Sequence, residues 1–268
     1  MKMLWDDQYL YIYAEMEEPH VWGDITKRDE IIFFNNDFEV FIDADGDTHN
    51  YMEFEINALN TGWDLFLTKP YRNRPKVIDN WDIRGIKSAV DIKGTLNNPM
   101  DIDTGWSVEI AMPWSALGEA GYNLKAPAGK TWRINFSRVN WDYELVDGKY
   151  SRKKVDGKYL PEYNWVWTPQ IAIDMHRPEM WGYIYFSKSK GDAFERSDNQ
   201  MIEYQLYALY RQVFEKGKQE VKHQKLLIKN KEIPVMFEEH TSGWNLYVVS
   251  PFSKRKIIIK EDGKLIHL

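Results

Sequence analysis

The chain has 268 residues, 43% of them hydrophobic, which is enough for a packed core; it has no cysteine, which excludes disulfides and thiolate metal sites without fixing the compartment. A net charge of −6 and the lack of a basic stripe interleaved with aromatics argue against nucleic acid, and no apolar run approaches membrane-spanning length. The aromatic content is unusual, with 12 Trp, 16 Tyr and 12 Phe; such side chains build β cores and also stack on sugar rings.

The chain opens on a hairpin: MLW, a DDQ turn, then YLYIYAE with period-two alternation. No charged segment followed by an apolar one precedes it, so no signal peptide is expected in this chain; either the protein stays inside the cell or upstream sequence is missing. EEPHVWGDITKRDE is irregular. DFEVFIDADGDTHNYMEFEINA, residues 37–58, predicts a second hairpin. Phe38, Val40 and Ile42 face one way with Met52, Phe54 and Ile56, which leaves Asp37, Glu39, Glu53, Glu55 and Asn57 on the other face. Carboxylates this close repel one another unless water, a cation or a hydroxylated ligand lies over them.

In the turn, Asp43, Asp45 and Asp47 invite a structural calcium, because hard cations take clustered carboxylates. However, Gly46 comes two places early for a helix–loop–helix calcium loop and no Glu closes it, so a plain turn is the favoured reading.

WDLFLTKPYRNRPKVIDNW leads through a loop to the alternating strand GIKSAVDIKGTL, and GWSVEIAMPW is a strand closed by Pro113. Residues 115–121 form a short helix or turn. KTWRINFSRVNW then directs Trp132, Ile134 and Phe136 inward and Arg133, Asn135 and Ser137 outward. DYELVDGKYSRKKVDGKYLPEY is a long polar loop whose repeated DGKY suggests a hairpin tip, and NWVWTPQ and MWGYIYFS supply the last strands. Regularly spaced strands with turn signals predict a mainly β fold, an immunoglobulin- or jelly-roll-like antiparallel β-sandwich over residues 1–188.

SKSKGDAFERSDNQ reads as a linker, and an amphipathic helix follows, with Ile202, Leu206, Leu209 and Val213 at helical spacing, a cap at Ser197 or Asp198 and a stop at Gly217. With the short strands after it, residues 195–268 are expected to form a helix plus β-hairpin appendage.

Glu39, Glu53, Glu55, Asn57, Glu109, Arg133, Asn135 and Ser137 all lie opposite the apolar side of their strands. Carboxylates, amides and a guanidinium are what paired sugar hydroxyls need, since each hydroxyl both donates and accepts. The bland alternative is a solvated sheet face, although such faces usually mix in Lys and Thr. No phosphate loop, GxSxG or HExxH occurs, and the six histidines show no metal-ligand spacing.

WDDQYLYIYAEMEEPHVW, NDFEVFIDADGDTHNYMEFEINALNTGWDL, GTLNNPMDIDTGWSVEIAMPWSAL, WRINFSRVNW and NWVWTPQ…IDMHRPEMWGYIYF resemble, in this order over residues 3–187, the family 9 carbohydrate-binding modules and their bacterial relatives. The resemblance implies a sandwich of the DOMON type that binds an oligo- or polysaccharide on a concave face. It also implies further strands before the first hairpin, a periplasmic or extracellular location and, often, structural calcium. In that family two tryptophans sandwich a sugar whose hydroxyls bond Glu, Arg and Asn. By position, Glu39 and Asn57 carry over, whereas the two tryptophans fall at Phe33 and Met175 and the arginine at Glu55. Trp63, Trp81, Trp141, Trp165 and Trp167 are the candidate substitute platforms, with Trp63 and Trp81 preferred, and His176 stands beside the second clamp position. The leading reading is a non-catalytic sugar-binding module within a polysaccharide-degrading system. The alternatives are a glycoside hydrolase using the glutamate face and a haem-binding domain using Met175, His176 and Met180.

Overall fold

The computed structural model describes residues 1–121 and 124–268. In chain order β1 (Lys2–Trp5), β2 (Tyr9–Glu17), β3 (Asp37–Asp43), β4 (Tyr51–Asn57), β5 (Gly62–Leu67), β6 (Val77–Ile78), β7 (Lys87–Lys93) and β8 (Gly105–Pro113) precede the short helix α1 (Trp114–Gly121). Then come β9 (Thr131–Asn140), β10 (Tyr143–Val146), β11 (Lys149–Arg152), β12 (Lys154–Val155), β13 (Lys158–Tyr159), β14 (Tyr163–Val166) and β15 (Gly182–Tyr185).

Two antiparallel sheets face each other. One is four-stranded, β1-β2-β8-β7; the other is seven-stranded and runs from β14 through β9, β3, β4 and β5 to β6. β15 joins the second sheet along the β9 edge that β14 also uses, pairing with residues 131–134 while β14 pairs with 137–140. Period-two alternation sends Leu10, Ile12, Trp106, Val108 and Ile110 of the first sheet against Phe38, Val40, Ile42, Phe54, Ile56, Ile134 and Phe136 of the second. Within the four-stranded sheet the close approach of β8 to β2 requires Gly105, where a Cβ would fall 2.0 Å from the Met16 carbonyl oxygen.

β2 alternates between buried and exposed residues, as expected of a strand with one wet face, but β3 and β4 are buried along their whole length. A second layer therefore covers the outward side of the larger sheet. Phe41, Tyr51, Leu65 and Leu67 project outward among the acids, and residues 171–181 fold over them, with the Trp181 ring 5.5 Å from Phe41 and 5.2 Å from Tyr51.

The stretch expected to be one polar loop contains two consecutive two-stranded hairpins, β10–β11 and β12–β13. Each DGKY supplies a tip: Asp147–Gly148 and Asp156–Gly157 all have positive φ, the conformation of tight hairpin turns.

The helix α2 (Asp198–Lys216) starts at a Ser197–Gln200 capping box and ends at Gly217. It buries Ile202, Leu206, Tyr207, Tyr210 and Val213. These residues form a separate core with β16 (Lys225–Ile228), β17 (Lys231–Pro234), β18 (Met236–His240), β19 (Gly243–Val249), β20 (Lys256–Lys260) and β21 (Leu265–His267). The strands after the helix form a β16–β17 hairpin and a four-stranded sheet, β18-β19-β20-β21, more than the single hairpin expected. Among the described residues no helix is long and apolar enough to cross a membrane.

Candidate functional site

Antiparallel pairing of β3 with β4 sets Glu39 opposite Glu55 and Phe41 opposite Glu53, all on the outward face. The side-chain oxygens of Asp37, Glu39 and Glu55 lie within 4.8 Å of one another. None of these acids is solvated: Asp37 is 0% exposed, Glu39 2%, Glu55 3% and Glu53 4%. Burial, which penalises the charged form, raises all four carboxyls, and the neighbouring acids raise Asp37, Glu53 and Glu55 further; Glu39 reaches about 8.

Above this floor is a cleft of about 370 Å³. Phe33 stands on a one-turn 3-10 helix, Ile32–Phe34, which is anchored to the floor because the Phe33 N–H donates to Glu55 Oε2 at 2.9 Å. Trp63 comes from β5, where it pairs with Glu55, and Tyr71 comes from the loop before β6. The covering segment supplies the far wall, where the Ser137 hydroxyl donates to Met175 Sδ at 2.7 Å and Tyr51 Oη lies 2.8 Å from His176 Nδ1. Burial pushes the His176 imidazole down to about 4, so it is neutral, and its Nδ1 shares a hydrogen bond with the Tyr51 hydroxyl. Among the described residues the lining has a single fixed cation, Arg72, already held by Asp174 at 3.5 Å and by the Ile173 carbonyl.

Of the residues expected from the sequence, Phe33, Glu39, Glu53, Glu55, Trp63, Met175 and His176 converge on this cleft. Five others do not. Asn57 is fully buried and holds its own turn, accepting from the Leu59 and Thr61 N–H groups and donating to the Ile25 carbonyl. Arg133 donates to the Glu179 and Trp181 carbonyls and to the Tyr183 hydroxyl, fastening the covering segment from below. Asn135 accepts from the Thr168 N–H and hydroxyl. Glu109 belongs to the other sheet and projects from its outward face between Tyr13 and Ala89. Trp81 packs on Phe66 at the core edge and donates to Glu119. Among the other tryptophans, Trp141 is buried and donates to the Phe33 carbonyl, Trp167 packs on Phe136, and Trp165 is exposed on the face of β14 opposite Asn164.

Tyr71, Arg72, Glu162, Asn164 and Asp174 also line the cleft. All but Asn164 lie outside strands, where no periodicity marks a direction; the aromatic after Pro70 in the loop was the one available signal.

One carboxylate oxygen each of Asp43, Asp45 and Asp47 come within 4.8 Å of one another, but the turn already uses the oxygens of Asp43 and Asp47. Asp43 accepts from the Gly46 and Thr48 N–H groups, both at 2.9 Å, and Asp47 accepts from the His49 N–H and pairs with Lys264 at 2.9 Å. The turn is also where the C-terminal unit docks: Thr48 Oγ1 donates to the Gly263 carbonyl and the Leu265 N–H donates to the Asp47 carbonyl. These residues fit a joint better than a cation site. A larger hollow, about 780 Å³, runs over the outward face of the four-stranded sheet, but its acids, Glu15 and Glu109, are exposed and Glu15 is paired with Lys93. The buried, convergent groups of the smaller cleft make it the better candidate.

Residues 1–135 match the family described as "Carbohydrate family 9 binding domain-like". The exoglucanase XynX of Acetivibrio thermocellus and the endo-1,4-beta-xylanase A of Thermoanaerobacterium saccharolyticum are each 25% identical over 116 residues, 43% of this chain but 9% and 8% of those proteins. A solved structure described as "a putative carbohydrate-binding protein from Bacteroides uniformis" is 17% identical, with a TM-score of 0.46 over 67% of this chain and 74% of that one. Because the family match spans half of the 268 residues and carries β2, β3, β4 and β8 in order, this chain belongs to the carbohydrate family 9 binding domain-like family.

Proposed function

We propose that the protein is a non-catalytic carbohydrate-binding module that holds a saccharide in the cleft between Phe33, Trp63 and Tyr71 and over Glu39, Glu53 and Glu55. The observation that carries this reading is the combination at one place of ring faces and buried acceptors. Glu39 Oε2 and Glu53 Oε2 have no hydrogen-bond donor among the described residues, and sugar hydroxyls would supply one. Trp63 Nε1 is a buried donor that also lacks a partner. Apolar sugar faces would lie on the rings.

Catalysis is disfavoured by geometry. Glycosidases flank the scissile bond with two carboxyls about 5–10 Å apart. Here the acids rise side by side from neighbouring strands on one floor. Both curated relatives are named as polysaccharide hydrolases, of which the matched stretch is under a tenth, and this supports a role beside a degrading enzyme at a periplasmic or extracellular site.

Calorimetric titration with xylo- and cello-oligosaccharides tests the reading. Binding is expected in wild type, with loss of about tenfold or more in Trp63→Ala, in line with the ~0.5–1.5 kcal/mol of an aromatic contact plus its buried area, and no oligosaccharide should be cleaved. A folded Trp63→Ala that binds as wild type does would place the ligand elsewhere.

A further inference from the structure

Charge is what distinguishes this cleft from an ordinary hydroxyl-binding surface. Glu39, Glu53, Glu55, Glu162 and Asp174 line it, against Arg72, whose guanidinium is already engaged by Asp174. His176 contributes no charge, since it is neutral and bonded to Tyr51. Two of the floor carboxylates, Glu39 at 2% exposure and Glu53 at 4%, keep an oxygen that nothing among the described residues satisfies. Hydroxyl groups can satisfy acceptors but cannot supply the positive charge that would let these buried carboxyls give up their protons and ionise. An ammonium group does both, with three N–H donors and a unit charge. The aromatic walls suit the same group, because ring faces attract cations.

Given that the cleft binds a saccharide, as proposed above, we infer that its preferred ligand is an amine-bearing sugar, with the ammonium seated on Glu39 and Glu53 and the ring against Trp63. In the free protein the floor carboxyls are held above their ordinary range by burial and, for Glu53 and Glu55, by mutual repulsion, which is the state expected of a site awaiting positive charge.

The test compares β-1,4-linked glucosamine oligomers, their N-acetylated counterparts and cello-oligomers of the same length, titrated in slightly acidic buffer where the amine is protonated. These differ only at the C2 substituent, where the cello-oligomer's hydroxyl matches the amine in size and the acetamide is larger, so the cello-oligomer controls for shape. The free amine is expected to bind at least tenfold more tightly than either neutral oligomer. Glu39→Gln/Glu53→Gln, which removes the two groups that could ionise against an ammonium and keeps the shape, should bring that ratio close to one, and Trp63→Ala should weaken all ligands. Cello-oligomers binding as tightly as the amine would overturn the inference and leave carbohydrate binding standing. If no oligomer binds, both fall. Amine binding that survives Trp63→Ala would be adsorption to an acidic surface, and a neutral oligomer that matches the amine once calcium is added would show that a metal supplies the charge; either result overturns the inference.

Discussion

The Tyr51 hydroxyl and His176 Nδ1 meet at 2.8 Å, joining the central strand β4 to the segment that walls the cleft. Tyr51 is wholly buried, and the Tyr71 ring stacks on His176 at 4.9 Å. One hydrogen bond therefore positions both the covering segment and an aromatic wall. Tyr51→Phe keeps the ring and removes the bond; it should cost about 1 kcal/mol of stability and weaken ligand binding severalfold. Urea unfolding together with calorimetry separates the two effects. Binding and stability both equal to wild type would show that the wall is held by packing alone.

The acidic floor predicts an unusual pH dependence. Glu39 has an ordinary value of 4.5 and a folded value of about 8, and Asp37, Glu53 and Glu55 shift the same way. Between these limits the folded state binds more protons than the unfolded one, so stability is greatest below the lower value and falls as pH rises through the window. The urea midpoint of the free protein should decrease from about pH 5 to about pH 8, and Glu39→Gln should flatten that slope and gain at least about 1 kcal/mol at the alkaline end. A midpoint rising over this range would mean that the cluster is ionised and compensated in the folded protein.

Arg211 on α2 reaches across to the main sandwich, its Nε donating to Glu179 Oε1 at 2.7 Å, and Glu179 is 2% exposed. Removing the arginine leaves a buried acid without its partner. Arg211→Ala should therefore destabilise the protein by about 3 kcal/mol. If the two cores are coupled through this pair, thermal unfolding of the variant should also separate into two transitions. A single transition at the wild-type temperature would assign the docking to the Asp47–Lys264 turn instead.

Chelation tests the aspartate turn. Two of its three carboxylates, Asp43 and Asp47, are already engaged by the Gly46, Thr48 and His49 N–H groups and by Lys264. EDTA should leave the melting temperature unchanged within about a degree, since only a ligand bound to the native state adds stability that its removal would take away. A drop of several degrees would place a cation in the turn.

The sequence determined which residues share a side of each strand. Alternation with period two directed Phe38, Val40 and Ile42 one way and Glu39 with Glu53 and Glu55 the other, and the folded chain keeps that division because pleating permits no other. The α2 helix was equally legible, since spacing, cap and stop are all local signals. Alternation has no means of saying which of a sandwich's two outward faces a residue occupies. Alternation groups Glu109 with Glu39 on that account, yet Glu109 projects from the outward face of the other sheet. Nor did it reveal that residues 171–181 would fold back over the larger sheet. That covering depends on Phe41 and Tyr51 meeting Trp181, contacts between residues more than a hundred positions apart that only the assembled fold brings together. It is this layer that turned a row of outward acids into a buried floor and gave Arg133 structural partners, while Thr168, just before it, takes Asn135.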